Sequence, residues 1–340
     1  MGYINPIAKW DLKRNKWDYN IKYEEVGKSY AYVNFSDETE DVNYIIFSPG
    51  IRVENYEEGN NALNNNLQID SILKHFEEAE DKYNIKMQLM DKDAPIIEEA
   101  KQQAKLVDQL VRDKRTKSVT LIGYSKCGVM NFYVPSFFKN KDSFKKTNII
   151  NIATPYKGTI MASNKLIFNK FKSGVQDIIK NKKLTDIISN KFKKFYESTS
   201  SNSHMDYDIS VPNGVTEDKY DLYDKNFINN VFRKENIRSM KKVKSFTNIS
   251  TGVDKNTFKR AIKSLNLGNI ELYLMEKYIL KDKTDGIVPV DSQLEVEKYL
   301  DVKSRKISSC THNVHSDKKC LNALLSIIDE TLDVKVYTKR

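Results

Sequence analysis

Nowhere in the 340 residues does an apolar run approach the roughly 18 consecutive residues that a membrane-spanning helix needs. Residues 1–20 also lack the apolar core of a secretory signal, so a cytoplasmic protein is expected. Cysteine is scarce. Cys127, Cys310 and Cys320 are an odd count without metal-ligand spacing, which predicts reduced thiols in a reducing compartment and no structural zinc. There is no Walker loop, Rossmann glycine pattern, zinc-finger spacing or RNA-binding aromatic signature, so nucleic acid has only charge in its favour and is not an expected partner. That charge is +10, from 56 basic against 46 acidic residues, and it suits an anionic partner without choosing one.

Hydrophobic residues make up 39% of the chain, enough to fill a core at this length. The mean hydropathy of -0.60 reflects a Lys/Asn-rich surface rather than disorder, because apolar clusters recur along the chain with helix and strand periods.

Alternation through Trp17, Tyr19, Ile21 and Tyr23, a turn near Gly27, and Tyr30 to Phe35 read as a β-hairpin. A short strand at Tyr44 to Phe47 is broken by Ser48-Pro49-Gly50, and a helical pattern spans about Leu63 to Ala79. Strands are expected at Ile85 to Met90, Val119 to Ile122 and Ile149 to Ala153. Between the first two lies a helix with the stripe Ile97, Ala100, Ala104, Val107 and Val111. This alternation is the pattern of a mostly parallel sheet covered by helices on both faces. After residues 159–240, which lack clear strands, Val243 to Ser250 and Lys303 to Ser309 resume the sheet. A last helix carries Leu321, Leu324, Leu325, Ile328 and Leu332.

The junction Gly123-Tyr124-Ser125 closes a buried strand and opens a helix. A tight turn there pushes Ser125 outward, needs small neighbours two positions away, and faces unpaired helix N–H groups suited to a developing oxyanion. For an isolated G-x-S, a packing glycine beside an N-capping serine is the better explanation. The stretch Gly123-Tyr124-Ser125-Lys126-Cys127-Gly128 resembles the nucleophile elbow of the α/β-hydrolase superfamily, and within it the lipase-like serine esterases. Cys127 stands where the family usually has the first of two glycines. The resemblance implies an α/β-hydrolase fold, with residues 1–158 and 241–340 as the core and residues 159–240 as a helical cap. It implies no cofactor.

An activated serine needs a histidine oriented by a carboxylate. Of the four histidines, His75 falls in the first long helix and reads as a surface or packing residue, and His204 falls in a polar loop. His312 and His315 follow the last strand, where the family's order of serine, acid and histidine puts the base. His312 is favoured because it comes directly after the strand, with His315 as the alternative.

For the acid, Thr284-Asp285-Gly286-Ile287-Val288-Pro289 resembles the segment carrying the lipase aspartate, although Asp-Gly is also a common turn. Asp254 is the alternative acid. The oxyanion hole implied by the resemblance uses the N–H of Lys126 and that of Ile51, in a Ser48-Pro49-Gly50-Ile51 loop resembling the family's His-Gly-x entry. Thr154-Pro155-Tyr156-Lys157-Gly158 resembles the Thr-Pro-x-x-Gly that follows the next strand in many lipases. Cys127 and Cys310 read as small apolar fillers rather than nucleophiles.

Within the insert, Lys165 to Tyr196 interleaves apolar residues such as Leu166, Phe171, Ile178 and Phe192 with nine lysines. Such a cap suits an acyl chain on one face and an anionic membrane on the other, and equally a stripe packed on the core with solvated lysines. The expected activity is cleavage of a carboxylic ester of an acyl-chain lipid through an acyl-serine. The alternatives are an acyl thioesterase or small-ester hydrolase with the same residues, and a non-catalytic hydrolase-like protein that binds membranes or a partner.

Overall fold

The computed structural model describes residues 8–11, 16–19, 30–34, 42–48, 75, 83–88, 96–159, 225–252, 283–285, 288–310, 312, 314 and 318–332. The strands are β1 (Ala8–Asp11), β2 (Lys16–Tyr19), β3 (Tyr30–Asn34), β4 (Val42–Ser48), β5 (Tyr83–Gln88), β6 (Thr116–Tyr124), β7 (Thr147–Ile152), β8 (Ser245–Gly252) and β9 (Arg305–Ser308). The helices are α1 (Ile96–Leu110), α2 (Lys126–Tyr133), α3 (Lys141–Lys146), α4 (Lys225–Val231), α5 (Lys234–Met240), α6 (Val290–Leu294) and α7 (Lys318–Leu332).

Seven strands form one sheet in the order β3-β5-β4-β6-β7-β8-β9. Pairing is parallel for β5 with β4, β4 with β6, β6 with β7 and β8 with β9, while β3 runs antiparallel to β5 at the edge. The cores of the central strands are buried without alternation. In β4 the consecutive residues Ile45, Ile46 and Phe47 are all buried, and every residue of β7 is buried, as strands covered on both faces require.

The expected N-terminal hairpin is corrected. Lys16–Tyr19 pairs with Ala8–Asp11 in a separate two-stranded sheet, and Tyr30–Asn34 joins the main sheet instead. Period-2 alternation marks a strand but says nothing of its partner.

Helix α1 bears out the expected stripe with one change: Ile96 is buried and Ile97 is 44% exposed. Ile96, Ala100, Ala104, Val107 and Val111 follow the 3.6-residue period from the true start of the buried face. In α7 the expected Leu324 and Ile328 are buried, while Leu321, Leu325 and Leu332 are half-buried and Cys320 and Ile327 take their place, so the face is turned from the expected one.

The chain divides into two compact units, one of residues 1–152, 233–248 and 314–340, the other of residues 153–232 and 249–313. In the first, Asp108 of α1 is buried and accepts from the Lys139 and Asn140 N–H groups and the Ser143 hydroxyl, fixing the entry to α3. Ser136 donates to Asn236, joining the turn after α2 to α5. In the second, Tyr156 and Phe232 pack with ring centroids 5.9 Å apart, and Phe232 stacks on Tyr299 at 4.0 Å. The cap expected at residues 159–240 falls largely on residues 160–224, which lie outside the described residues, as does most of the helix expected at residues 63–79.

Cys310 and Cys320 are disulfide-bonded, and Cys127 is the free, buried thiol. The expectation of three reduced thiols is therefore corrected: two bonded sulfurs and one buried thiol make up the odd count. Cysteine usage no longer argues for a reducing compartment. Among the described residues, no helix is long and apolar enough to cross a membrane.

Candidate functional site

Ser125 sits alone between β6 and α2, with no residue to spare for a loop. Its backbone has φ 54° and ψ -126°, a conformation that L-residues enter at a cost of about 1–3 kcal/mol. Hydrogen bonds on both sides hold it there. The Ser125 N–H donates to Ile152 O at 2.9 Å, and its carbonyl accepts from the Gly128 N–H at 2.9 Å.

Gly123 is required for the same turn. A Cβ at that position would lie 2.6 Å from Cys127 O and also run into the Asn131 side chain, so the helix could not start so close to the strand. Around it, Asn131 donates to Asn151, which donates to Gly128 O at 2.8 Å, tying the first turn of α2 to β7. Lys126, the first residue of α2, is buried, and Cys127 is fully buried within the helix. Ser125 itself is 8% exposed and makes no side-chain cap hydrogen bond to α2, so the N-cap explanation of this serine does not hold.

In the second unit the residues around Asp285 form a tight reversal. Thr284 and Pro289 make an antiparallel bridge, the Asp285 N–H donates to Val288 O at 3.3 Å, and the Val290 N–H donates to Lys283 O at 2.8 Å. The Asp285 carboxylate serves two purposes. Oδ1 accepts the Val288 N–H at 2.8 Å and closes the turn, and Oδ2 lies 2.8 Å from Nδ1 of His312. One side chain thus closes the turn and faces His312.

Asp285 is fully buried and His312 is 12% exposed. Their main chains meet as well, through the His312 N–H to Asp285 O at 2.7 Å, while the Cys310 N–H donates to Gly252 O at 3.0 Å. Ser309, with φ 66°, turns the chain out of β9 toward this contact. An ionised carboxylate only accepts, so this contact is made with an imidazole proton on Nδ1.

Two residues that the sequence did not single out complete this group. The Thr251 hydroxyl donates to Asp285 Oδ2 at 2.7 Å, and Gln293 Nε2 donates to the same oxygen at 3.1 Å. Thr251 is the next-to-last residue of β8, directly before Gly252, whose missing side chain admits Val290 of α6. The Thr154-Pro155-x-x-Gly158 turn docks on the first turn of α6. Lys157 N–H donates to Ser292 Oγ at 3.0 Å, Ser292 Oγ donates to Gly158 O at 2.8 Å, and Lys157 Nζ pairs with Asp291 at 2.7 Å. Glu295 also takes Lys298 at 2.8 Å, and that hydrogen bond holds the Lys298 ammonium above its ordinary pKa.

Of the other expected residues, His75 pairs through Nε2 with Asp329 of α7 at 2.6 Å and is largely buried, which fits a packing role. Ile51, His204, Asp254 and His315 lie outside the described residues. Among the described residues, no group of three or more His, Cys, Asp or Glu stands where it could hold a metal ion.

No protein-family model matches the sequence, and no curated protein matches it significantly. Solved structures do match at low identity. A Bacillus licheniformis lipase, BlEst2 in mature form, is 13% identical with a TM-score of 0.46, covering 89% of this chain and 97% of its own. Est1E from Butyrivibrio proteoclasticus is 11% identical with a TM-score of 0.46, covering 92% and 98%. A meta-cleavage product hydrolase from Pseudomonas fluorescens is 9% identical with a TM-score of 0.44, covering 89% and 93%. The classification rests on the strand order. An antiparallel edge strand, a swap of the next two strands, and then neighbours in chain order, with the strained serine directly after the fourth strand of the sheet, give this chain the α/β-hydrolase fold.

Proposed function

We propose that the protein is a serine hydrolase that cleaves a carboxylic ester through an acyl-serine intermediate. The observation that carries this reading is the backbone of Ser125. A serine held at φ 54° between a buried strand and a helix, where glycine would be free of strain, points to a nucleophile rather than a packing residue. The buried Asp285 bonded to His312 Nδ1 supports it, as does the chain order of serine, acid and histidine.

In this reading Ser125 Oγ attacks the ester carbonyl carbon while His312 Nε2 takes its proton. Asp285 stabilises the resulting imidazolium and keeps the ring oriented. The tetrahedral oxyanion is held by the N–H groups of Lys126 and Ile51, each such donor contributing about 3 kcal/mol to transition-state stabilisation. Collapse expels the alcohol, which takes the proton from His312. Water, activated by the same histidine, then releases the acid.

The proposed substrate carries an acyl chain, and the lysine-rich segment from Lys165 to Tyr196 is the proposed contact with an anionic membrane. The test is hydrolysis of p-nitrophenyl esters of increasing acyl length, with acyl thioesters as comparison. Turnover rising with chain length and lost in folded Ser125→Ala supports the proposal. Turnover confined to thioesters or short esters redirects the substrate assignment, and turnover that survives Ser125→Ala refutes the nucleophile.

A further inference from the structure

We infer that Gln293 and Thr251 are positioning residues which aim the Asp285 carboxylate at His312, and that Gln293 sets its direction by pairing with the main chain at the end of β8. The inference rests on the assignment of Asp285 and His312 to the triad. Asp285 is fully buried, so its orientation is decided by protein donors rather than water. Oδ1 is committed to the Val288 N–H, which fixes one end of the carboxylate in the turn. Rotation about the remaining axis is restrained at Oδ2, where Thr251 Oγ1 and Gln293 Nε2 arrive together with His312 Nδ1.

Gln293 is itself fully buried and held rigidly. Its Oε1 accepts the Thr251 N–H at 2.8 Å, and its Nε2 donates to Thr251 O at 3.2 Å, so the side-chain amide pairs with both main-chain groups of one strand residue. Nε2 also reaches Val288 O at 3.1 Å, the carbonyl of the turn that Asp285 closes. A single amide thereby references the carboxylate to the strand on one side and the turn on the other. Glutamine suits this because it offers an acceptor and two donors in one plane. Glutamate would keep the acceptor for Thr251 but place an oxygen about 3.1 Å from Asp285 Oδ2, where two carboxylates must share a proton.

The test compares Gln293→Glu, Gln293→Met and Thr251→Val with the wild type, and Thr251→Ser as the variant that restores the hydroxyl. Folding is checked by circular dichroism. Steady-state ester hydrolysis separates kcat from KM, and proton NMR follows the downfield imidazole N–H signal, assigned to His312 by its loss in His312→Ala. The expected result for the folded Gln293 variants and Thr251→Val is a fall in kcat of about 10- to 100-fold with KM within about threefold. The imidazole signal shifts in the same variants, and Thr251→Ser returns both readings to near the wild type. Should neither Gln293 variant fold, the Thr251 pair decides alone. Folded variants with unchanged kcat and an unmoved imidazole signal overturn the inference and leave Gln293 a structural tie. A wild type that shows the His312 signal but no turnover instead counts against the hydrolase reading on which it rests.

Discussion

Replacing Asp285 by asparagine forces a choice that the structure resolves. The amide nitrogen takes the place of either Oδ1 or Oδ2. At Oδ1 it would face the Val288 N–H, leaving a buried donor without an acceptor at a cost of about 1–3 kcal/mol. At Oδ2 it would face three donors, but each has another course. The Thr251 hydroxyl can rotate and accept. Gln293 Nε2 already reaches Thr251 O and Val288 O. His312 can shift its proton to Nε2 and accept at Nδ1.

The second arrangement is the cheaper, and it is the one that disables the histidine, because Nε2 then holds a proton and has no lone pair for Ser125. The expected outcome is a protein whose stability falls by no more than about 1 kcal/mol and whose turnover falls by about 10⁴-fold, the loss associated with a triad histidine in the wrong tautomer. Thermal melts and p-nitrophenyl ester hydrolysis measure both. Turnover within tenfold of the wild type would refute Asp285 as the acid and send the assignment to Asp254. Unfolding of the variant would refute the orientation argument.

Ser125→Gly abolishes turnover and raises the thermal midpoint by a few degrees, because glycine adopts positive φ without strain; an unchanged or lower midpoint in a melt contradicts the strained elbow. On α1, Ile96→Ala costs about 2–4 kcal/mol in urea unfolding while Ile97→Ala stays within about 0.5 kcal/mol, and equal losses would contradict the placement of the buried stripe. A thiol count on the denatured, unreduced protein gives one free thiol per chain, that of Cys127; three would restore the reduced state expected from the sequence.

The central strands were legible because burial on both faces leaves continuous apolar runs such as Ile45-Ile46-Phe47, and the elbow because its glycine and serine are dictated by local sterics. Partner choice was not legible. Residues 17–23 and 30–35 alternate as a hairpin should, yet Lys16–Tyr19 pairs upstream and Tyr30–Asn34 crosses to β5, since pairing is settled by the sheet and not by the strand. The start of α1 was displaced by one residue because Ile96 and Ile97 are both isoleucine and only packing distinguishes them. Asp285 could be named as a candidate from its local segment, and the structure sets it against His312. Thr251 and Gln293 could not, because they are 42 residues apart and reach the Asp285 carboxylate only where the end of β8 meets α6. The cysteines misled for a related reason: spacing carries no information on which thiols meet in the fold.

The most direct test of the central claim is intact-mass analysis after labelling with a fluorophosphonate probe, comparing wild type, Ser125→Ala and His312→Ala. The account predicts one adduct on the wild type, located on Ser125, none on folded Ser125→Ala, and strongly slowed labelling of folded His312→Ala. A folded wild type that stays unlabelled by a probe shown to be active, or an adduct that persists in Ser125→Ala, would contradict it.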